Sequence, residues 1–233
     1  MDDNTLTTSK IQQDNRLPRD FYTRTDVVQV ARDLLGKVLV TEFDGHRTAV
    51  RITETEAYRA PDDRASHAWN NRRTTRTEVM FREGGCAYVY LCYGIHHLFN
   101  VVTAEEGMAH AVLIRAAEPL EGLDIMIQRR QLKSARSSGS KPAVALTTGP
   151  GALSQALDLN IGWTGQSLLA PDSPVWIEDR DRPEFRHEIK SGKRIGVDYA
   201  GECAEWPWRF WLAGSPYVKR LKDQSNTSLS HDL

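Results

Sequence analysis

A turn at Asp44-Gly45 constrains the fold of this chain more than any other short stretch. It separates two β-rich runs in LVTEFDGHRTAVRITETEAY, which covers residues 39–58. An Asp-Gly pair tolerates the positive φ angles of a two-residue hairpin turn and is the strongest short-range hairpin signal. The sequence therefore predicts two antiparallel strands joined at this point.

The second strand of this hairpin carries two carboxylates on a face that begins apolar. With a period of two, the residues that share this face are Val50, Ile52, Glu54, Glu56 and Tyr58. One interpretation is that the strand twists out to solvent at Glu54. The other is a partly desolvated carboxylate in a pocket, which is the usual setting of a catalytic acid or base. The periodicity leaves both interpretations open.

A second hairpin is predicted around Gly94, which joins the β-prone runs CAYVYLCYG and IHHLFNVVT. Tyr88 and Tyr90 face the same side of the first strand, whereas Tyr93 lies beside the turn. Tyrosine hydroxyls that are hydrogen-bonded at the rim of an amphipathic sheet account for Tyr88. They account poorly for Tyr93, because a large ring at a turn gains little from a core.

Apolar periodicity predicts helices and further strands around these hairpins. Thr25 or Asp26 is expected to cap a helix that ends at Gly36, and a second helix is expected over 123–130. Between them, AHAVLIRAAEPLEG predicts a buried strand that turns at Glu118-Pro119. LTTGPGALSQALDLN contains a helix opening, and RIGVDYAGECAEWPWRFWLAGSPYV is strand-like and aromatic, so it is expected to close the same core.

The organisation of the chain predicts one domain. The 233 residues contain no internal repeat and no second boundary, and 40% hydrophobic with 26% charged residues are ordinary globular values. Residues 1–18 and 222–233 are polar and aperiodic, so they are predicted to be flexible tails on either side of a domain over 19–221.

Composition also limits the function classes. A net charge of -1 disfavours nucleic-acid binding by bulk charge, although a local basic face stays open. Three cysteines without CxxC spacing disfavour a disulfide framework and a cysteine zinc site, and they favour a reducing interior. No leader and no run of membrane-spanning length is visible, so we expect a cytoplasmic location, or a nuclear one if the source has a nucleus.

The motifs of several enzyme classes are missing from the sequence. It contains no GxGxxG or GxxxxGKS at a strand-helix junction, no HExxH and no GxSxG, and His96-His97 lacks spaced metal-ligand partners. What remains is a strand carboxylate, several rings, a loop histidine and scattered arginines. Such a set suits a site that stacks a flat ligand and hydrolyses a bond at a sugar-like carbon.

Two groups of basic residues leave alternatives open. Arg115 ends an apolar run and requires an anion, either a protein carboxylate or a phosphate. The loop over residues 60–77 contains Arg72, Arg73 and Arg76, which contact phosphate in one interpretation and are a solvated basic surface in the other.

In a series of motifs that follow one another in the same order, the chain resembles the alkyladenine (3-methyladenine) DNA glycosylases, which are purine-specific enzymes of base-excision repair. The motifs are ETEAY with a histidine nine residues on, Met80-Phe81 leading to YVYLCYG and Asn100, LIRAAEPLEG, TGPGALSQAL, RIGV and RFWLAGSPYV, over about residues 21–219. The resemblance implies an α+β fold: a single mixed domain around a curved antiparallel β-sheet with surrounding helices, from which a β-hairpin protrudes to intercalate in DNA.

The resemblance also implies the roles of individual residues. Glu56 matches the general base that deprotonates the attacking water, and Arg115 matches a residue that contacts backbone phosphate and orients that water. The residues that match positions in contact with the DNA stack or the flipped base are the wedge Tyr93, the stacking residues Tyr58, His67 and Tyr90, and Asn100, which obstructs the amino group of guanine.

The implied activity is that of a monofunctional DNA glycosylase on 3-methyladenine, 7-methylguanine, hypoxanthine and ethenoadenine. It would act as a monomer in the minor groove of double-stranded DNA and leave an abasic site, with no metal and no organic cofactor. A catalytically silent binder of damaged DNA is one alternative, which an intact Glu56 disfavours. Another is carbohydrate hydrolysis with Glu54, Asp62 or Asp63 as the second carboxylate.

Overall fold

The computed structural model describes residues 15–132, 141–180 and 188–219. In this part of the chain, eight strands form one antiparallel sheet with helices packed on it, so the α+β class and the single domain are confirmed. The strands are β1 (Val38–Phe43), β2 (His46–Arg59), β3 (Ala87–Cys92), β4 (His96–Thr103), β5 (His110–Glu121), β6 (Val175–Glu178), β7 (Ile189–Gly192) and β8 (Arg209–Leu212).

Strand β2 is the centre of the sheet. Neighbouring strands follow the order β3-β4-β5-β2-β1-β6, and β8 pairs with both β2 and β7. Along one edge β2 pairs with β1 and then with β8, and along the other edge with β5. The predicted hairpin turn between β1 and β2 is confirmed, because Asp44 and Gly45 have φ angles of 52° and 76°.

Helices cover one face of the sheet and share the largest apolar core with it. The predicted helices after Asp26 and over 123–130 are confirmed, and the Asp26 carboxylate accepts a hydrogen bond from the Gln29 backbone N–H at 3.0 Å. The α-helices in the described residues are α1 (Arg19–Tyr22), α2 (Val27–Asp33), α3 (Leu123–Arg129), α4 (Lys141–Thr147) and α5 (Pro150–Ala156).

Three register shifts interrupt the pairing of β2 with β5, and two of them are adjacent β-bulges beside Glu54. The register passes over Thr53 on β2 and then over Arg115 on β5, so each is an extra residue without a partner on the opposite strand. A bulge bends its strand and reverses the alternation of side chains beyond it. Because the two bulges lie on opposite strands, the pairing returns to its original register after both.

The bulge on β2 decides which side chains reach which face. Val50 and Ile52 lie in the core beneath the helices, and the Thr55 hydroxyl donates to a backbone carbonyl of α2 at 2.8 Å. Glu54 and Glu56, the chain neighbours of Thr55, therefore point to the opposite face. The predicted common face is wrong for Val50 and Ile52, because strict period-two alternation does not hold across a bulge.

The sequence predicts a turn at Glu118-Pro119, but this prediction is wrong, because strand β5 continues to Glu121. Pro119 lies opposite Val50, where the register shifts again. An irregular pair tolerates a residue that has no N–H to donate, so this proline stays inside the strand.

The strand-like prediction for the last core segment is only partly right. Residues 209–212 form β8, and its Phe210 and Leu212 close the main core. The preceding residues Asp198–Glu205 instead form 3-10 helical turns. Their buried residues Ala200, Cys203 and Ala204 recur at helical rather than strand spacing, which explains the difference.

The start of the described chain packs against the sheet edge at β6. Leu17 is 4% exposed within the main core, and its backbone N–H donates to Ile177 at 2.9 Å. The Arg16 guanidinium lies 4.3 Å from the centre of the Trp176 ring. Residues 15–18, which composition assigns to a tail, thus belong to the folded domain. Outside the described residues lie the rest of the predicted N-terminal tail (1–14), the predicted C-terminal tail (222–233) and residues 133–140.

We predict that Leu17→Ala lowers the free energy of unfolding by about 2–5 kcal/mol, the usual cost of deleting a buried leucine side chain. Urea unfolding followed by circular dichroism measures this loss. Ile161→Ala is the control, because Ile161 is 56% exposed and its truncation should change stability little. Equal, near-zero effects of both changes would contradict the packing of the N-terminal segment.

Candidate active site

A cavity of about 330 Å³ opens on the face of the sheet opposite the helices. Leu98 and Asn100 of β4 line it, whereas Phe99 between them lies in the core beneath the helices. Its volume falls at the lower end of the range for small-ligand sites. Other lining residues are Tyr58, Ala65, His67, Met80, Tyr88, Tyr90, Cys92, Tyr93, Ala111, Leu113, Arg115, Ile195, Gly196, Val197 and Tyr199.

His67 is held in its neutral form beside the cavity. Its Nδ1 lies 2.8 Å from the Tyr88 hydroxyl, and its Nε2 lies 3.1 Å from an Arg76 guanidinium nitrogen. Because a guanidinium only donates, Nε2 accepts that bond and the proton is on Nδ1. Burial, and secondly the charge of Arg76, lowers the pKa of His67 to about 4.

Five tyrosines line the cavity besides His67. The His67 and Tyr90 ring centres are 4.6 Å apart at 83°, and those of Tyr88 and Tyr90 are 5.6 Å apart at 34°. Burial raises the pKa of Tyr58, Tyr88 and Tyr90, so the hydroxyls stay protonated at neutral pH. The cavity therefore presents neutral π-systems, which attract flat and cationic groups.

Asn100 is fixed by the strands on which it lies. Its side-chain amide nitrogen donates to the backbone oxygens of Tyr88 at 3.0 Å and Leu98 at 3.2 Å. It is 3% exposed and pairs with Tyr88 across β3 and β4. Its amide therefore has one orientation at the cavity wall and cannot swing aside without losing both bonds.

Glu56 is fully buried directly behind the cavity wall. Its Oε2 accepts hydrogen bonds from the Tyr58 hydroxyl at 2.8 Å and from Arg115 at 3.1 Å, and its Oε1 accepts from the Ile195 backbone N–H at 2.7 Å. Glu56 is not itself among the lining residues, but all three of its partners are. Three donors compensate the burial of this carboxylate.

Arg115 joins the two carboxylates of β2. Its Nε donates to Glu54 and its Nη1 to Glu56, both at 3.1 Å. Burial alone would lower the pKa of Arg115, but Glu56 and Glu54 outweigh it and raise that pKa above its ordinary value. The sequence left open whether the anion that meets Arg115 is a protein carboxylate or a phosphate, and the structure supplies two protein carboxylates. The interpretation that Glu54 faces solvent is wrong, because Glu54 is 1% exposed.

Like Glu56, the other candidate carboxylates Glu54, Asp62 and Asp63 are absent from the cavity lining, and each is held by an arginine. Glu54 is shared by Arg115 and Arg209, and Asp63 is paired with Arg194 in full burial. Asp62 is exposed and bound to Arg59. The arrangement therefore lacks the second free carboxylate that carbohydrate hydrolysis requires.

Tyr93 lies at the tip of the hairpin formed by β3 and β4. Tyr93 and Gly94 have φ angles of 52° and 72°, as the predicted turn requires. Tyr93 is 89% exposed and Ile95 is 72% exposed, yet Tyr93 also borders the cavity. The structure thus puts Tyr90 inside the cavity and a bare aromatic ring at its edge.

Comparison with known proteins agrees with this geometry. A family model described as Methylpurine-DNA glycosylase (MPG) matches residues 20–216. The chain belongs to the methylpurine-DNA glycosylase family. It is therefore a DNA glycosylase, an enzyme of base-excision repair, and the alternative of a catalytically silent binder is not supported.

Curated relatives match the glycosylase along almost their whole length. Each carries the name "Putative 3-methyladenine DNA glycosylase". The protein from Desulfitobacterium hafniense is 45% identical over 87% of this chain and 98% of its own, and the one from Chlamydia abortus is 47% identical over 84% and 97%. The relative from Bacillus licheniformis is 45% identical over 88% and 96%.

The structure of the glycosylase adds buried arginines that sequence reasoning missed. Arg194 and Arg209 begin the motifs RIGV and RFWL, and their side chains are fully buried against Asp63 and Glu54. The argument that an arginine in an apolar segment requires an anion, applied to Arg115, would have found Arg209, whereas Arg194 follows the polar run KSGK and gives no such signal. In the basic loop, Arg76 contacts His67, whereas Arg73 pairs with Glu78.

Two classes of feature do not occur among the residues that the structure describes. No group of three or more His, Cys, Asp or Glu side chains there is arranged to hold a metal ion. No helix in those ranges combines the length and apolarity needed to cross a membrane.

We predict that His67 of the glycosylase titrates near pH 4, measured by NMR of its imidazole. Because this pKa lies below the ordinary value of 6.5, the unfolded chain binds the proton first, and stability falls as pH drops from 6.5 toward 4. Arg76→Gln should raise the midpoint while leaving it below 6.5, since burial is the larger cause. A midpoint near 6.5 in the folded enzyme would contradict the assigned tautomer and burial.

Proposed function

We propose that the enzyme flips alkylated or deaminated purines out of duplex DNA into the aromatic cavity and hydrolyses their N-glycosidic bond with a water that Glu56 deprotonates. The substrates are 3-methyladenine, 7-methylguanine, hypoxanthine and ethenoadenine. The observation that carries this proposal is the buried Glu56 carboxylate, whose three hydrogen-bond donors all line the cavity.

The proposed reaction needs only water besides the nucleotide. The bond from the base nitrogen to C1′ of the sugar breaks with its electron pair on the base, and positive charge develops on the sugar. The Glu56 anion favours that charge and takes a proton from the water whose oxygen bonds to C1′. The products are a free base and an abasic site, and the strand stays intact. A cationic alkylpurine leaves as a neutral base and the proton on Glu56 passes to solvent, whereas a neutral lesion leaves as an anion and takes up one proton, which balances the one removed from water.

Arg115 is proposed to fix the direction of the Glu56 carboxylate. Among the described residues its hydrogen-bond acceptors are the two β2 carboxylates, and it also lines the cavity. A water or a backbone phosphate that reaches this wall would therefore meet a guanidinium that stays charged. This location suits the two roles of orienting the water and contacting phosphate.

Base selection is proposed to rest on ring stacking and on Asn100. Stacking on Tyr58, His67 and Tyr90 contributes roughly 1–3 kcal/mol per base and attracts cationic alkylpurines further. Because His67 is neutral, it does not repel such a base. The fixed amide of Asn100 would obstruct the exocyclic amino group of an undamaged guanine.

The DNA partner is proposed to be held in its minor groove, with Tyr93 in the gap that the flipped nucleotide leaves. An exposed ring at a turn is the kind of wedge that minor-groove proteins insert between base steps. Because one chain carries both the aromatic cavity and the wedge Tyr93, a monomer suffices for this function. The enzyme would act where the DNA is, in a bacterial cytoplasm and nucleoid or in a nucleus.

We predict that Glu56→Gln lowers single-turnover excision by at least about 10²-fold, the usual contribution of a general base, while lesion binding is kept. The assay uses a labelled duplex with one ethenoadenine or hypoxanthine, and alkali afterwards breaks abasic sites. Glu121→Gln is the control, because this half-exposed carboxylate on β5 does not line the cavity. Retained excision by Glu56→Gln would refute the role of Glu56 as the general base.

We predict that Tyr93→Ala slows excision from duplex more than excision from a single strand carrying the same lesion. Only the duplex has a stack that the ring must fill. Tyr93→Phe keeps the ring and should stay near the wild-type rate. If Tyr93→Ala loses activity equally on both substrates, the wedge role is wrong.

A further inference from the structure

Arg194 is a buried charge beside the cavity with no part in the reaction described above. It is 4% exposed, and its guanidinium donates to the backbone oxygens of Ala57 at 2.8 Å and Cys203 at 3.0 Å. It also forms a two-pronged ion pair with Asp63, with one N–O distance of 2.8 Å. Asp63 is fully buried.

These contacts join the segments that carry the active-site groups. Ala57 lies on β2 between Glu56 and Tyr58. Asp63 belongs to the loop that continues to His67, and its carboxylate also accepts a hydrogen bond from the Ala65 backbone N–H at 3.0 Å. The Arg194 guanidinium therefore connects strand β2, which carries Glu56, to the loop that contributes His67 to the cavity lining.

Arg194 also lies next to Ile195 and Tyr58, the two hydrogen-bond donors to Glu56 other than Arg115. Ile195 directly follows Arg194, and its backbone N–H donates to Glu56 at 2.7 Å. The Arg194 guanidinium carbon lies 4.8 Å from the centre of the Tyr58 ring, and the hydroxyl of that ring donates to Glu56. A shift of Arg194 would therefore move two of the three donors that hold the base.

We propose that Arg194 is a positioning residue of the glycosylase. Its planar fork holds Ala57, Asp63 and Cys203 at once, so that the Ile195 N–H and the Tyr58 hydroxyl meet Glu56. Stability alone does not require this choice, because a buried ion pair is often matched by apolar groups of the same size. The inference rests on the proposed role of Glu56.

The test removes the ion pair without leaving a lone buried charge. Arg194→Met alone would strand the Asp63 carboxylate and report misfolding, so it is combined with Asp63→Asn. We expect this double variant to unfold in urea near the wild-type midpoint. We expect its single-turnover rate at saturating enzyme to fall about 10- to 100-fold, the scale of a small misplacement of reacting groups.

Two comparisons separate positioning from general effects. Arg24→Met with Asp33→Asn removes an ion pair at α2, away from the cavity-lining set, and should keep the wild-type rate. Arg194→Lys keeps a positive charge opposite Asp63 but cannot bond all four acceptor atoms, so it should stay folded and remain slow. If the double variant does not fold, Arg194→Lys decides the question.

Wild-type rates in a folded double variant, or in Arg194→Lys, would overturn the inference and leave Arg194 a purely structural residue. Glu56→Gln measured in parallel keeps the two proposals apart. If Glu56→Gln excises normally, the proposed base is wrong whatever the Arg194 variants do. If Glu56→Gln is inactive and the Arg194 variants are normal, only the positioning role fails.

Discussion

The buried ion-pair chain Glu54–Arg115–Glu56 is the interaction on which the rest of this structure depends. Two carboxylates on one desolvated face of a central strand are costly unless positive charge balances them. Arg115 meets both because it is the extra residue of a bulge on β5, and Arg209 supplies the second charge to Glu54. The four groups together are neutral, which offsets the cost of burying the carboxylate that is proposed to act as the general base.

Several polar atoms around the cavity are already engaged within the protein. The Tyr58 hydroxyl bonds to Glu56, the His67 Nδ1 to Tyr88, and the Asn100 amide nitrogen to the backbone. The rings of Tyr58, His67 and Tyr90 line the cavity beside these engaged atoms and can offer their faces to a ligand. Under the proposed function this explains how one pocket accepts several altered purines, because stacking and cation–π attraction do not depend on one hydrogen-bonding pattern.

Local sequence signals predicted the two hairpins, the capped helix and the carboxylate-bearing strand, because each depends on neighbouring residues. The bulges at Thr53 and Arg115 could not be predicted this way, since they arise from pairing between strands 61 residues apart in sequence. The Arg194 to Asp63 ion pair spans 131 residues and was missed for the same reason. The resemblance identified the residues that meet at the cavity, but not the contacts that hold them.

The central claim is that this chain gives its two carboxylates different tasks, structural for Glu54 and chemical for Glu56. The most direct test is the single-turnover excision rate of Glu54→Gln combined with Arg209→Met, which removes one buried carboxylate with its own counter-charge. The account predicts a folded enzyme that still excises a lesion from duplex DNA, with Arg115 bound to Glu56. A folded variant without detectable excision would contradict this division of roles.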